Sequence, residues 1–143
     1  MAQDSDLLTA VREELLPDVS ELGFQLVAQD QSDSFDNATV TLEAGDVCVR
    51  IVRERSQVFV DFGSVAKPGL WFDSTVVFDF LGIARDGGFH STDTTAVLRG
   101  LSSLLRAFWP EIKSRFGRDT FARTESALTT LRNAKAAERL GYQ

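Results

Sequence analysis

Apolar residues first recur at helical spacing. Leu8, Val11, Leu15, Val19 and Leu22 stand three or four positions apart and line one face of a helix predicted over residues 4–22. Asp4, Ser5 and Asp6 supply capping oxygens and favourable charge at its start, and Gly23 followed by Phe24 has the form of a C-terminal stop. Pro17 lacks a backbone donor and clashes with the preceding turn, so a kink or break is expected near Leu16.

From Phe24 to Phe62 the period drops to two, which predicts strands over 24–29, 38–43, 46–53 and 56–62. With Ala44-Gly45 and Glu54-Arg55 as turn pairs, Leu42 would face Val47, Val40 would face Val49 and Ala38 would face Ile51. On the next hairpin Ile51 would face Val58 and Val49 would face Val60. This register gathers the aliphatic residues on one face. Thr39, Thr41, Cys48, Arg50, Phe59 and Asp61 go to the other, which is polar apart from Phe59 and Cys48.

Beyond the strands, residues 63–69 read as a turn out of the sheet. A short helix is predicted over 74–81, capped by Asp73, ended by Gly82 and buried through Val76, Val77, Phe80 and Leu81. Residues 85–88 form a glycine-rich connector. A long helix opens at Thr92 with Val97, Leu101, Leu104, Leu105, Phe108, Ile112 and Phe116 as its apolar set and a kink after Trp109 imposed by Pro110. The last helix, over 119–140, has only Phe121, Leu128, Leu131 and Leu140 as large apolar residues, so it packs lightly or against a second copy. The expected architecture is a single α+β domain over 1–143. Residues 1–91 form an N-terminal helix and a four-stranded antiparallel meander, and 92–143 form a helical C-terminal part.

Length and composition agree with that picture: 143 residues with eleven phenylalanines can bury a core without covalent staples. One cysteine, Cys48, allows no intrachain disulfide, and the opening residues have neither a basic stretch nor an apolar one. Together these point to a reducing compartment such as a bacterial or eukaryotic cytoplasm and to no targeting or membrane segment. Charge divides the chain, with sixteen acidic and six basic residues in 1–91 against five acidic and nine basic in 92–143. An acidic sheet half repels phosphate backbones and attracts basic proteins, which argues against nucleic acid as a partner.

Catalytic chemistry finds little support. His90, the single histidine, lies in a glycine-flanked stretch with no nucleophile at motif spacing, and a surface or capping role outweighs catalysis. Cys48 in mid-strand reads as a half-buried thiol and not a nucleophile. Asp30, Asp33 and Asp36 lack the alternation, the glycine and the terminal glutamate of a calcium loop, and Gly87-Gly88 lacks the surroundings of a phosphate loop. No catalytic residue, metal or cofactor is therefore assigned. Trp71, Phe72, Phe78, Phe80 and Phe89 read as core beneath the short helix, and the arginines of the last two helices as a mixed, solvated surface.

The stretch from Ala38 to Gly82 runs through Ala44-Gly45-Asp46, Val49-Arg50-Ile51-Val52-Arg53-Glu54-Arg55, Gln57-Val58-Phe59-Val60-Asp61-Phe62, Trp71-Phe72-Asp73 and Phe80-Leu81-Gly82. This order of features resembles small bacterial proteins grouped with the immunity proteins of polymorphic or contact-dependent toxin systems. The resemblance implies a compact α+β protein, without catalysis of its own, that blocks a cognate toxin. It carries over no partner-binding residue, and the helical part after Ser91 departs from the compact pattern. The leading expectation is thus an intracellular protein-binding module for a basic toxin domain. The alternatives are a homodimeric or scaffold protein joined through its C-terminal helices, and a small-ligand binder using Arg50, Asp61 and Thr41 beside Phe59.

Overall fold

The structure, a computed structural model, describes residues 7–31, 37–83 and 89–140, with the side chain of His90 outside that description. The proposed caps at Asp4 to Asp6, Asp33 and Asp36 of the acidic loop, and the connector over 85–88 lie outside it as well.

The first helix is not one rod. It divides into α1 (Leu7–Glu14), α2 (Leu16–Val19) and a 3-10 turn (Ser20–Leu22). The break falls at Leu15, immediately before the predicted position. Pro17 cannot continue the preceding turn but fits the first turn of a new helix, where no donor is required. Leu7, Val11, Leu15 and Val19 are fully buried, whereas Leu8 and Leu22 are half-buried, so Leu7 replaces Leu8 on the core face. Gly23 closes the unit at φ 101°, and the Phe24 amide donates back to the Val19 carbonyl at 3.4 Å.

Among the described residues six strands follow where four were expected: β1 (Gln25–Gln31), β2 (Ala38–Ala44), β3 (Val47–Glu54), β4 (Gln57–Ser64), β5 (Phe72–Asp73) and β6 (His90–Ser91). Their order is β1-β2-β3-β4-β5, and β6 pairs with β4 beside β5. Both hairpins turn one residue later than predicted. Leu42 pairs with Val49 and Val40 with Ile51, and on the next hairpin Ile51 pairs with Val60 and Val49 with Phe62. Turn geometry is the cause. Arg55 and Ser56 both take positive φ, 51° and 72°, the combination that matches strand twist in a two-residue hairpin, and Gly45 takes φ 59° at the first position of the other turn. A shift of one turn residue preserves parity, so every side chain stays on its predicted face.

The helices gather on the aliphatic face. Val40, Leu42, Val49, Ile51, Val60 and Phe62 share one buried cluster with residues from α1, α2, α3 (Ser74–Leu81), α4 (Thr94–Arg115) and α5 (Phe121–Arg139). Asp73 and Asp93 cap α3 and α4 by accepting from the amides of Thr75 and Ala96, 2.9 and 3.0 Å away. Within α3 the buried set is Val76, Val77 and Phe78, while Phe80 and Leu81 are only half-buried. In α4 the non-helical residue is Phe108 (φ −118°, ψ 18°), on the N-terminal side of Pro110, because the proline ring crowds the turn before it. Phe108 is turned outward there, and Leu98, which the pattern had missed, joins Leu101 and Leu105 on the buried face of the helix. α5 lies along α3 and buries Phe121 and Leu128 within the chain; only Leu140 stays largely exposed. Phe121 and Leu128, two of the side chains behind the homodimer alternative, are thus used within the chain.

Phe62 is the junction of these layers, with its ring 6.0 Å from that of Phe78 and 6.1 Å from that of Phe116. Phe62→Ala is expected to lower the unfolding free energy by about 3–5 kcal/mol, whereas Leu140→Ala should change it by no more than about 0.5 kcal/mol. Urea titration of both variants checks this, and a cost for Phe62→Ala below about 1 kcal/mol would contradict the packing described.

Candidate functional site

Helices cover one face of the sheet and leave the other to be built by the strands alone. On that outward face Thr41 stands directly opposite Arg50, and Arg50 opposite Asp61. Arg50 donates from Nε and Nη2 to Oδ2 of Asp61 at 3.1 and 2.7 Å, and its guanidinium carbon lies 4.6 Å from the ring centroid of Trp71. Three of the four predicted surface residues, Thr41, Arg50 and Asp61, are thus neighbours. Phe59, two residues before Asp61 on β4, shares the face and is half-buried, lining a depression with Asn37, Glu54, Arg55, Gln57 and Thr92.

Trp71 is the residue that pattern reading misplaced. Phe72, Phe78 and Phe89 belong to the core, but Trp71 lies on the opposite side of the sheet. A loop over residues 65–71 carries it there. The amide of Val65 donates to the Asp46 carbonyl at 2.9 Å, and that of Ala66 to Oγ of Ser64 at 3.1 Å, so the loop folds back over the end of the sheet. Gly63 makes the crossing possible, since a β-carbon there would stand 2.8 Å from the Leu70 carbonyl oxygen and 3.1 Å from the Trp71 ring.

Between loop and sheet lies a cleft of about 190 Å³, lined by Thr41, Glu43, Cys48, Gly63, Val65, Pro68, Leu70 and Trp71 among others. It is smaller than the roughly 300–1,000 Å³ of drug-sized ligand and cofactor sites. Cys48 is buried at its floor, and its thiol donates to Oε2 of Glu43 at 3.7 Å. Burial first, and then the negative charges of Glu43 and Asp46 and the bond to Glu43, push the thiol pKa up to about 12. The group is a protonated donor near neutrality and not a nucleophile.

Part of the charge division of the chain is met within it. Arg99 pairs with Glu14 at 3.2 Å, Arg106 with Glu21 at 3.0 Å, Arg118 with Asp46 at 3.8 Å, and Lys135 with Asp79, while Lys67 reaches Glu125 at 3.0 Å. Each exposed pair contributes at most about 1 kcal/mol, and together they engage four of the sixteen acidic residues of 1–91 with bases of the C-terminal part. On the outward sheet face acid exceeds base: Asp30, Glu43, Glu54, Asp61 and Asp73 occupy outward register positions, and Asp61 is paired with Arg50, the only base among the described strand residues of that face.

No protein-family model, curated protein or solved structure matches this chain. Among the described residues no helix is long and apolar enough to cross a membrane.

Cys48 reports on the cleft. At pH 8 the folded protein should react with a thiol-disulfide reagent on the order of 10³-fold more slowly than the urea-unfolded chain, with Glu43→Gln reacting faster than wild type. Because the folded-state pKa is raised, the stability contributed by this proton is complete below the ordinary value of 9.0 and is lost as pH rises towards about 12. The stability difference between wild type and Cys48→Ala should accordingly shrink across that window in urea titrations. Folded and unfolded rates within tenfold of each other would show the thiol to be accessible and ionised.

Proposed function

We propose that this chain is a protein-binding module that presents the outward face of its sheet to a basic partner. The observation that carries this reading is the concentration of five carboxylates and one arginine, among the described strand residues, on the sheet face that the helices do not cover. Half-buried Trp71 and Arg50 at its centre are residue types that carry binding energy in protein interfaces, and they are already held in place by Asp61. The resemblance to immunity-type proteins supplies a partner class, a basic toxin domain blocked by occlusion in the cytoplasm. A phosphate backbone fits this face poorly, for the same electrostatic reason that a cationic protein fits it well.

The partner is best sought among the products of neighbouring reading frames, by co-purification and by rescue of cells expressing them. With a partner in hand, the association rate should fall about tenfold or more between low and high salt. The double variant Asp30→Lys with Glu54→Lys should slow association while leaving the fold intact. A salt-independent rate, or a hydrogen-exchange footprint on α4 and α5 in place of β2, β3 and β4, would refute the proposal.

A further inference from the structure

We infer that the cleft beneath Trp71 receives a single basic side chain of the partner, lysine or arginine, with Glu43 as its counter-charge; this rests on the docking face proposed above. The cleft has the capacity of one side chain, not of a cofactor. Its walls are apolar, formed by Val65, Pro68, Leu70 and Trp71, and its polar groups, from Thr41, Glu43 and Cys48, stand together on the strands. Lysine and arginine have the matching build, an aliphatic stem that packs against apolar surface and a charged head that seeks a carboxylate.

Electrostatics narrows the choice. Cys48 holds its proton and adds no charge, and Asp46 stands at the end of the same hairpin. The nearest cation on the face, Arg50, is engaged by Asp61 and stacked on Trp71, so it offsets Glu43 little. An acidic side chain would meet Glu43, and a purely apolar one would strip water from its carboxylate without replacing it. The cleft also stands ready before binding. Val65 ties the loop to Asp46, and Asp46 accepts from the amide of Arg118 at 2.9 Å, which anchors the hairpin to the segment between α4 and α5.

The probe is a capped tripeptide, glycine-lysine-glycine, titrated into the ¹⁵N-labelled full chain, with arginine and norleucine versions as comparators. Saturable shifts at the amides of Thr41, Cys48, Gly63 and Trp71 are expected with the lysine or arginine peptide and not with norleucine. Glu43→Gln should weaken them at least fivefold. Thr41→Phe, which fills the cleft and keeps Glu43, should abolish them, so the inference stays testable if either variant folds poorly. Non-saturating shifts spread over the acidic surface, an equal response to norleucine, or unchanged affinity in Glu43→Gln would each overturn it. With the whole partner, a footprint on the outward face together with equal affinity for wild type and Glu43→Gln defeats the cleft assignment and leaves the docking face standing. A footprint on the helices defeats both.

Discussion

The two-residue alternation along β2, β3 and β4 governs everything else in this molecule. Val40, Leu42, Val49, Ile51, Val58, Val60 and Phe62 must leave water together, and a pleated sheet can present them only on one side. Five helices supply the cover. Each brings buried residues to the same cluster, and Phe62 joins the sheet to α3 and to the end of α4 through ring contacts. With the cover assembled on one side, the polar side is left over, and that asymmetry keeps Thr41, Arg50 and Asp61 outward.

Electrostatics then acts on what burial has arranged. The basic C-terminal helices lie across the N-terminal helices and the hairpin ends, where Arg99, Arg106 and Arg118 meet Glu14, Glu21 and Asp46. These three bases therefore serve the chain's own assembly. The outward sheet face keeps its acidity because no helix reaches it, and Asp61 fixes Arg50 against Trp71 in its middle. A partner would meet a surface whose central side chains have little freedom left to lose.

The cleft arises from a conflict between the loop over 65–71 and the sheet below it. The loop must cross the end of β4 to reach β5, and only a residue without a side chain permits the approach at Gly63. The crossing places Trp71 over the sheet, encloses Cys48 and brings Glu43 to the edge of an apolar hollow. A thiol that elsewhere might titrate near 9 is held protonated there by burial and by its acidic neighbours.

Period and punctuation alone determined the α+β class, the meander, the break before Pro17, the caps at Asp73, Gly23 and Gly82, and which side of the sheet each residue of β2 to β4 occupies. These are local properties, set by side-chain parity and by backbone preferences within a few residues, and parity survived even the one-residue error in both turns. Only the tertiary structure decided the rest: the two short strands β5 and β6, the exposure of Phe108, the seating of α5 on α3, and the passage of Trp71 to the far side of the sheet from Phe72. Those outcomes depend on contacts between residues distant in the chain, such as Trp71 with Arg50 and Asp46 with Arg118, which no spacing in the sequence encodes. Arg50, Asp61 and Thr41 could be placed together by register alone, whereas Glu43, Cys48 and Gly63 acquire a shared role only once the loop has folded over them.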